Sequence, residues 1–367
     1  MNRRPSMTSH PFSGSVTRQR HTDTDAIFLH TPKKSRFLTG LRIFLLLLIA
    51  LVILNLAANQ LVFVQDTDIP LSALDSSNDG FTILAISDLK GTVFGQRQNR
   101  FREALSGKEY DAVVISGDMV SPLGNAQPFY DLLEVLQDIS PEAPVYFIQG
   151  DTDPEAVSME NAPYGSPYAQ WVLGAMQRGA VLLSSPVLLS EGDQPIWLCA
   201  ASDLTMDTQS QQSRFQKIQH EAVSSGDGIE EDYAAFHLSR ISGLQQARKT
   251  MKTGDICISV THNPPESSYI NALRAPSGRN TDLLLCGHWL GGLTRLPLIG
   301  SVFIPTDSLP NYGLFPGNAY NGLSRTGSTW VYCSSGLGSY EKHYPAFFRR
   351  LFNPPSVSLL HLRVSSL

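Results

Sequence analysis

Apolar residues in this chain fall into one long run and many short ones. Residues 43–64 are interrupted only by the polar Asn55, Asn59 and Gln60. As a helix rising roughly 1.5 Å per residue, that run spans a hydrocarbon core of roughly 30 Å, so it predicts one transmembrane helix. Five of the short runs end abruptly on Asp or His: Ile83-Leu-Ala-Ile-Ser-Asp88, Val113-Val-Ile-Ser-Gly-Asp118, Val145-Tyr-Phe-Ile-Gln-Gly-Asp151, Ile256-Cys-Ile-Ser-Val-Thr-His262 and Leu283-Leu-Leu-Cys-Gly-His288. Short continuous apolar runs of this kind predict strands buried on both faces. A residue placed directly after such a strand stands at the carboxyl edge of its sheet, where open α/β folds hold ligands.

Between these strands the pattern changes to helical spacing over 98–105, 126–139 and 168–177, with Pro141 and Gly179 as stops. Further strands are predicted at 181–184, 186–190, 196–201, 301–304, 329–334 and 356–364. Residues 206–254 are polar and rich in Gln and Ser, with an acidic patch at Asp227, Glu230, Glu231 and Asp232, and read as a helical insertion. Parallel βαβ units followed by closely spaced strands predict an α/β fold of two sheets flanked by helices. The expected organisation is a disordered tail (1–42), a transmembrane helix (43–64), a linker (65–80) and one domain (81–367).

Charge sets the orientation. The tail carries eight Lys or Arg against two Asp, a net +6 within a chain of −5, which leaves −11 for residues 43–367. Positive flanks stay in the cytoplasm, so a single-pass cell-membrane protein with an extracytoplasmic ectodomain is expected. A signal peptide cut near Leu56-Ala-Ala58 is the rival reading, opposed by the length of the basic region. The acidic ectodomain argues against a nucleic-acid partner. Four cysteines (Cys199, Cys257, Cys286, Cys333) lie inside apolar runs with no CxxC spacing, and are read as small buried hydrophobes.

Three Asp and two His at strand tips form a set of oxygen and imidazole donors suited to a divalent metal such as Mn, Fe or Zn. Each Asp alone could simply cap the helix that follows it, and each His alone could be a satisfied core residue. Five together, in these contexts, favour a metal or phosphate site.

The order Asp-x-x, Gly-Asp, Gly-(Asn/Asp)-x-Asp, His-x-Pro, Gly-His-x-x-Gly-Gly resembles the calcineurin-like metallophosphoesterases. It looks most like their membrane-anchored bacterial YkuE-like branch, on segments around Arg295-Leu-Pro297, 317–322, Val331-Tyr-Cys-Ser-Ser-Gly-Leu-Gly338 and 353–362. The resemblance implies a four-layer αββα sandwich. It also implies two metals that activate a water and clamp phosphoryl oxygens. Carried over residue by residue, one metal site keeps Asp88 and Asp118 but has Lys90 and Leu290 where histidines are expected. The other keeps all four ligands, as Asp118, Asp151, His262 and His288. Thr152 stands where a histidine usually assists the leaving group. One bound cation rather than two is therefore expected. The metal candidates are Asp88, Asp118, Asp151, His262 and His288, and the catalytic candidates are Asp88, Lys90, Asp151 and Thr152. Lys90 can offset the carboxylates beside it or neutralise a phosphate oxygen.

Two functions follow from these residues. One is metal-dependent hydrolysis of a phosphate ester or pyrophosphate, with a phosphorylated small molecule or a lipid headgroup as partner. The other is a non-catalytic protein that uses the same pocket to bind a phosphorylated ligand or partner.

Overall fold

A computed structural model of the chain describes residues 36–121, 124–159, 166–296, 299–304, 315, 321–339 and 350–365. The tail up to residue 35, Pro297 and residues 317–320 of the glycine-rich segment lie outside the described residues. The chain divides into two compact units, 1–48 and 49–367. Helix α1 (Arg36–Ala58) is long and apolar enough to cross a membrane. It begins earlier than the apolar run predicts and also ends earlier, because residues 63–71 are not a continuation of it. They form strand β1 (Phe63–Leu71), which lies within the predicted span and linker. Parallel pairing with the last strand of the fold satisfies their backbone groups.

The next strands and helices build the first sheet: β2 (Thr82–Ile86), α2 (Asn99–Leu105), β3 (Ala112–Ile115), α3 (Gln127–Ile139), β4 (Val145–Phe147), α4 (Gln170–Met176) and β5 (Ala180–Leu182). The second begins with β6 (Val187–Ser190) and β7 (Ile196–Ala200). A short α5 (Ala201–Leu204) follows, then the helices α6 (Thr208–Ser225) and α7 (Gly228–Thr250) of the polar insertion. The chain returns through β8 (Ile256–Thr261), α8 (Ser267–Ala272) and β9 (Leu283–Cys286). It then forms the hairpin β10 (Thr294–Leu296) and β11 (Gly300–Phe303), and ends with β12 (Gly322–Thr326), β13 (Thr329–Cys333) and β14 (Ser356–Val364). The sheet orders are β1-β14-β2-β3-β4-β5 and β12-β13-β9-β8-β7-β6. Both are mixed, with β2-β3-β4-β5 and β7-β8-β9-β13 parallel at their centres.

Strand alternation sorts the apolar runs into layers. Ile83, Ala85 and Val114 pack between the sheets against Leu198, Ile258 and Leu285. Their neighbours Leu84, Ile86 and Val113 face the opposite way, onto Phe101, Phe129 and Leu132 of the helices. On the far side Cys257, Leu284 and Cys286 pack on Leu204, Met251 and Ile270. The result is the αββα order of layers, with strands buried on both faces as their continuous apolar runs require. Each fully buried Leu or Ile contributes about 1.5–3 kcal/mol. All four cysteines are buried free thiols.

Two polar features of the sequence find structural partners. The Asn55 and Asn59 amides, at the end of α1, both donate to the Arg350 carbonyl at 2.8 Å, and Asn55 Oδ1 accepts from the Phe352 N–H at 3.0 Å. The acidic patch marks a helix start. Asp227 caps α7 by accepting from the N–H groups of Ile229 and Glu230, and Glu230 and Glu231 occupy the first turn, where negative charge complements the helix dipole.

Candidate functional site

Five parallel strands, three from one sheet and two from the other, deliver their terminal residues to one place. Asp88 follows β2, Asp118 follows β3, Asp151 follows β4, His262 follows β8 and His288 follows β9. The backbone turns sharply there. Asp88, Lys90, Asp118, His288 and Leu290 all have positive φ, between 49° and 69°. Left-handed conformations at non-glycine residues are costly, and they persist where surrounding contacts over-determine them. Glycine makes the close approach possible: a Cβ on Gly150 would lie 2.3 Å from both the backbone N and Oδ1 of Asp118.

Asp118 is the hub. Its Oδ2 accepts a hydrogen bond from Lys90 Nζ and lies 3.1 Å from His262 Nε2, while Oδ1 accepts the Thr152 N–H at 2.7 Å. His288 Nδ1 stands 3.3 Å from His262 Nε2 and 3.3 Å from Asp151 Oδ2. The two imidazole rings are 5.2 Å apart, nearly perpendicular. Asp118, His262 and His288 each offer one donor atom, all within 4.8 Å of one another.

The chemistry of this group fits a cation. His262 Nδ1 is 2.8 Å from the Ser116 carbonyl, which only accepts, so that nitrogen carries a proton. In the neutral imidazole Nε2 is then a lone pair aimed at a carboxylate oxygen, and two acceptors at this distance need a cation or a proton between them. Without a metal, the proton is held firmly. Burial pushes the His262 pKa down, but the hydrogen bond to Asp118 and the charges of Asp88 and Asp118 outweigh it and raise the pKa to about 9. Burial likewise opposes ionisation of Asp118, but His262 and Lys90 hold its carboxyl well below the usual range. His288 shifts down, through burial and its proximity to His262. The Ser116 carbonyl does for His262 what outer-shell acceptors do for metal-binding histidines generally, fixing tautomer and ring orientation.

Asp151 stands at the rim. The resemblance makes it a fourth ligand; its side chain is half exposed, held by Asn263 Nδ2 at 2.8 Å and 3.3 Å from His288 Nδ1. Asp88 is fully buried. Its Oδ2 accepts the His288 N–H at 3.0 Å and its Oδ1 faces Lys90 Nζ at 3.5 Å. Lys90 is only 4% exposed, so it is enclosed with the two carboxylates it neutralises. Leu290 is fully buried. The Thr152 hydroxyl is buried with no hydrogen-bond partner, and its backbone rather than its side chain serves Asp118.

Two residues important to this arrangement were not among the sequence candidates. Asp153, the last position of Gly-Asp-Thr-Asp, accepts three backbone N–H groups: Asp118 and Gly150 at 2.8 Å and Val120 at 2.7 Å. It holds the loop that presents Asp118, and its place within the motif was the available signal. Arg350 had none. It is buried, donates to the carbonyls of Ser335 and Gly336, and is close enough to Asp88 for their charges to interact. Burial lowers its pKa to about 10, partly offset by Asp88.

Comparison with known proteins gives one family. Residues 81–291, more than half of the chain, match the family model described as calcineurin-like phosphoesterase. No curated protein sequence matches the chain. Among solved structures, TT1561 of Thermus thermophilus is similar at 12% identity and a TM-score of 0.36, over 70% of this chain and 90% of that one. The purple acid phosphatase PPD1 from yellow lupin (Lupinus luteus) seeds is similar at 12% identity and a TM-score of 0.35, over 75% of this chain. This chain spans about half the length of the lupin enzyme, 47%.

Proposed function

The chain belongs to the calcineurin-like phosphoesterase family, and we propose that it is a membrane-anchored phosphoesterase of the YkuE-like branch working with one divalent cation. The observation that carries this reading is the convergence of Asp118, His262 and His288 donors within 4.8 Å, with a lone pair of His262 directed at the Asp118 carboxylate. These three residues would hold the cation, with Asp151 within reach at the open rim. Such an ion, Mn, Fe or Zn by its ligands, would supply Lewis acidity towards a phosphoryl oxygen and an attacking water.

The remaining residues define what the chain itself does. Lys90 replaces a second cation. Its ammonium neutralises Asp88 and Asp118, and its burial favours that role over direct contact with a phosphate. Asp88 fixes His288 through the backbone N–H, and Asp153 fixes the Asp118 loop. Asp151, the most exposed carboxylate of the set, would accept or return a proton at the substrate. The substrate is a phosphate ester or pyrophosphate. Attachment to the membrane through α1, with the domain outside the cell, makes lipid-linked esters one source of it.

The full-length protein in detergent, supplied with Mn2+, should hydrolyse p-nitrophenyl phosphate or its bis ester, and His262→Ala should abolish this. A second reading, a phosphate-binding protein without turnover, is favoured by the buried Leu290 at a ligand position. Saturable phosphate binding with no hydrolysis of either ester would establish that reading and remove the first.

A further inference from the structure

The insertion forms a wall beside the metal group. A cavity of about 470 Å³ opens from Asp151, His262 and Asn263 and runs to the inner face of α7, where Tyr233, Phe236 and His237 line it. We propose that this cavity binds the alcohol portion of the substrate, and that this portion is a planar heteroaromatic ring system of nucleoside size. The assignment rests on the hydrolytic reading of the metal group and extends it to a substrate class.

Three features support it. The cavity is continuous with the metal group and far larger than a phosphate needs, within the usual range of small-molecule sites. Its α7 wall is aromatic. The His237 ring is edge-on to Tyr233 at 4.6 Å and to Phe236 at 5.1 Å, and stacks on Phe215 at 4.2 Å. Such rigid rings are stacking platforms for bases. The rest of the lining is mixed, with polar side chains set among Leu182, Leu183 and Val260. Arg240, Ser184 and Ser202 also face the cavity, and Arg240 is paired with the buried Asp203. An acyl chain filling this space would desolvate those groups without replacing their hydrogen bonds, whereas the edge of a heterocycle or a ribose supplies partners. The His237 ring is uncharged. Burial, together with the charges of Arg240 and Arg214, lowers its pKa to about 4, and its Nε2 is buried with no hydrogen-bond partner. In hydrolysis, water adds to phosphorus as the P–O ester bond breaks. The leaving oxygen takes up a proton, and the released alcohol remains in the cavity until it dissociates.

The test uses calorimetric titration of the full-length protein with the two halves of such a substrate, neither of which can be hydrolysed: adenosine and inorganic phosphate. Adenosine should bind saturably. Phe236→Leu and Tyr233→Leu, which keep apolar bulk but remove the ring, should each weaken it by about five-fold or more, given the strength of base stacking. Neither variant should change phosphate affinity. Absence of adenosine binding, or equal adenosine affinity in both variants and the parent, would overturn the proposal. Saturable binding of dihexanoylglycerol in place of adenosine would overturn it in favour of a lipid alcohol. Adenosine binding without any phosphate binding would instead remove the hydrolytic reading, and with it the assignment of the ring to a substrate.

Discussion

Lys90 and His262 decide the electrostatics of the site. Breaking a buried ion pair by removing one partner costs roughly 3–5 kcal/mol, because the other charge is left uncompensated. Lys90→Ala strands Asp88 and Asp118. The variant should lower the unfolding midpoint substantially in chelator and reduce phosphate affinity, with weaker salt dependence. Thermal scans and phosphate titrations at two ionic strengths check this, and an unchanged midpoint with unchanged binding would make Lys90 a bystander. His262 sets a pH dependence. Its pKa is about 9 in the folded, cation-free protein against an ordinary 6.5. The stabilisation is therefore complete below about pH 6.5 and is lost as pH rises through 9. At about 1.4 kcal/mol per pKa unit, this is on the order of 3 kcal/mol. Cation-free protein should melt at lower temperature at pH 9 than at pH 6.5. Cation binding displaces that proton, so apparent affinity should rise with pH over the same window. A midpoint in chelator that is flat from pH 6.5 to 9 would contradict the assignment.

At the level of elements, most of the chain declares itself. The strands that lead to Asp118, His262 and His288 are mostly apolar and buried on both faces, as their short continuous runs predict. Helix α3 and strand β14 fall where their periodicity predicts. Strand β1 was illegible because it continues directly from the apolar helix, and its pairing partner lies at the far end of the chain. Arg350 was illegible for the same reason: its role comes from long-range contacts that leave no local pattern. The position of Asp151 at a strand tip was legible, but its side-chain direction was not, because the contact with Asn263 that holds it comes from the other sheet. Asp153 gives the clearest element-scale test. An Asn amide would set an N–H₂ against backbone N–H donors, and each unsatisfied buried group costs about 1–3 kcal/mol. Asp153→Asn should therefore destabilise the fold and weaken cation binding by about ten-fold, although its carboxylate meets Asp118 only at the backbone N–H. Unchanged cation affinity in calorimetry would mean that the Asp118 loop holds itself.

At the scale of the whole molecule, Asn55 and Asn59 tie the end of the candidate membrane helix to the phosphoesterase fold, which explains the polar interruptions of the apolar run. The basic tail predicts that the fold lies outside the cell. Protease added to intact cells should digest epitopes after residue 65 and spare the tail, and a protected domain would reverse the orientation. The central claim is that one cation, held by Asp118, His262 and His288, works beside an ammonium in place of a second. Elemental analysis of the full-length protein, loaded with Mn2+, Fe2+ or Zn2+ and freed of excess metal, tests it most directly. The account predicts close to one equivalent per chain. Two equivalents would show that Lys90 and Leu290 do not close the other site, and none would show that the converging donors are not a metal centre.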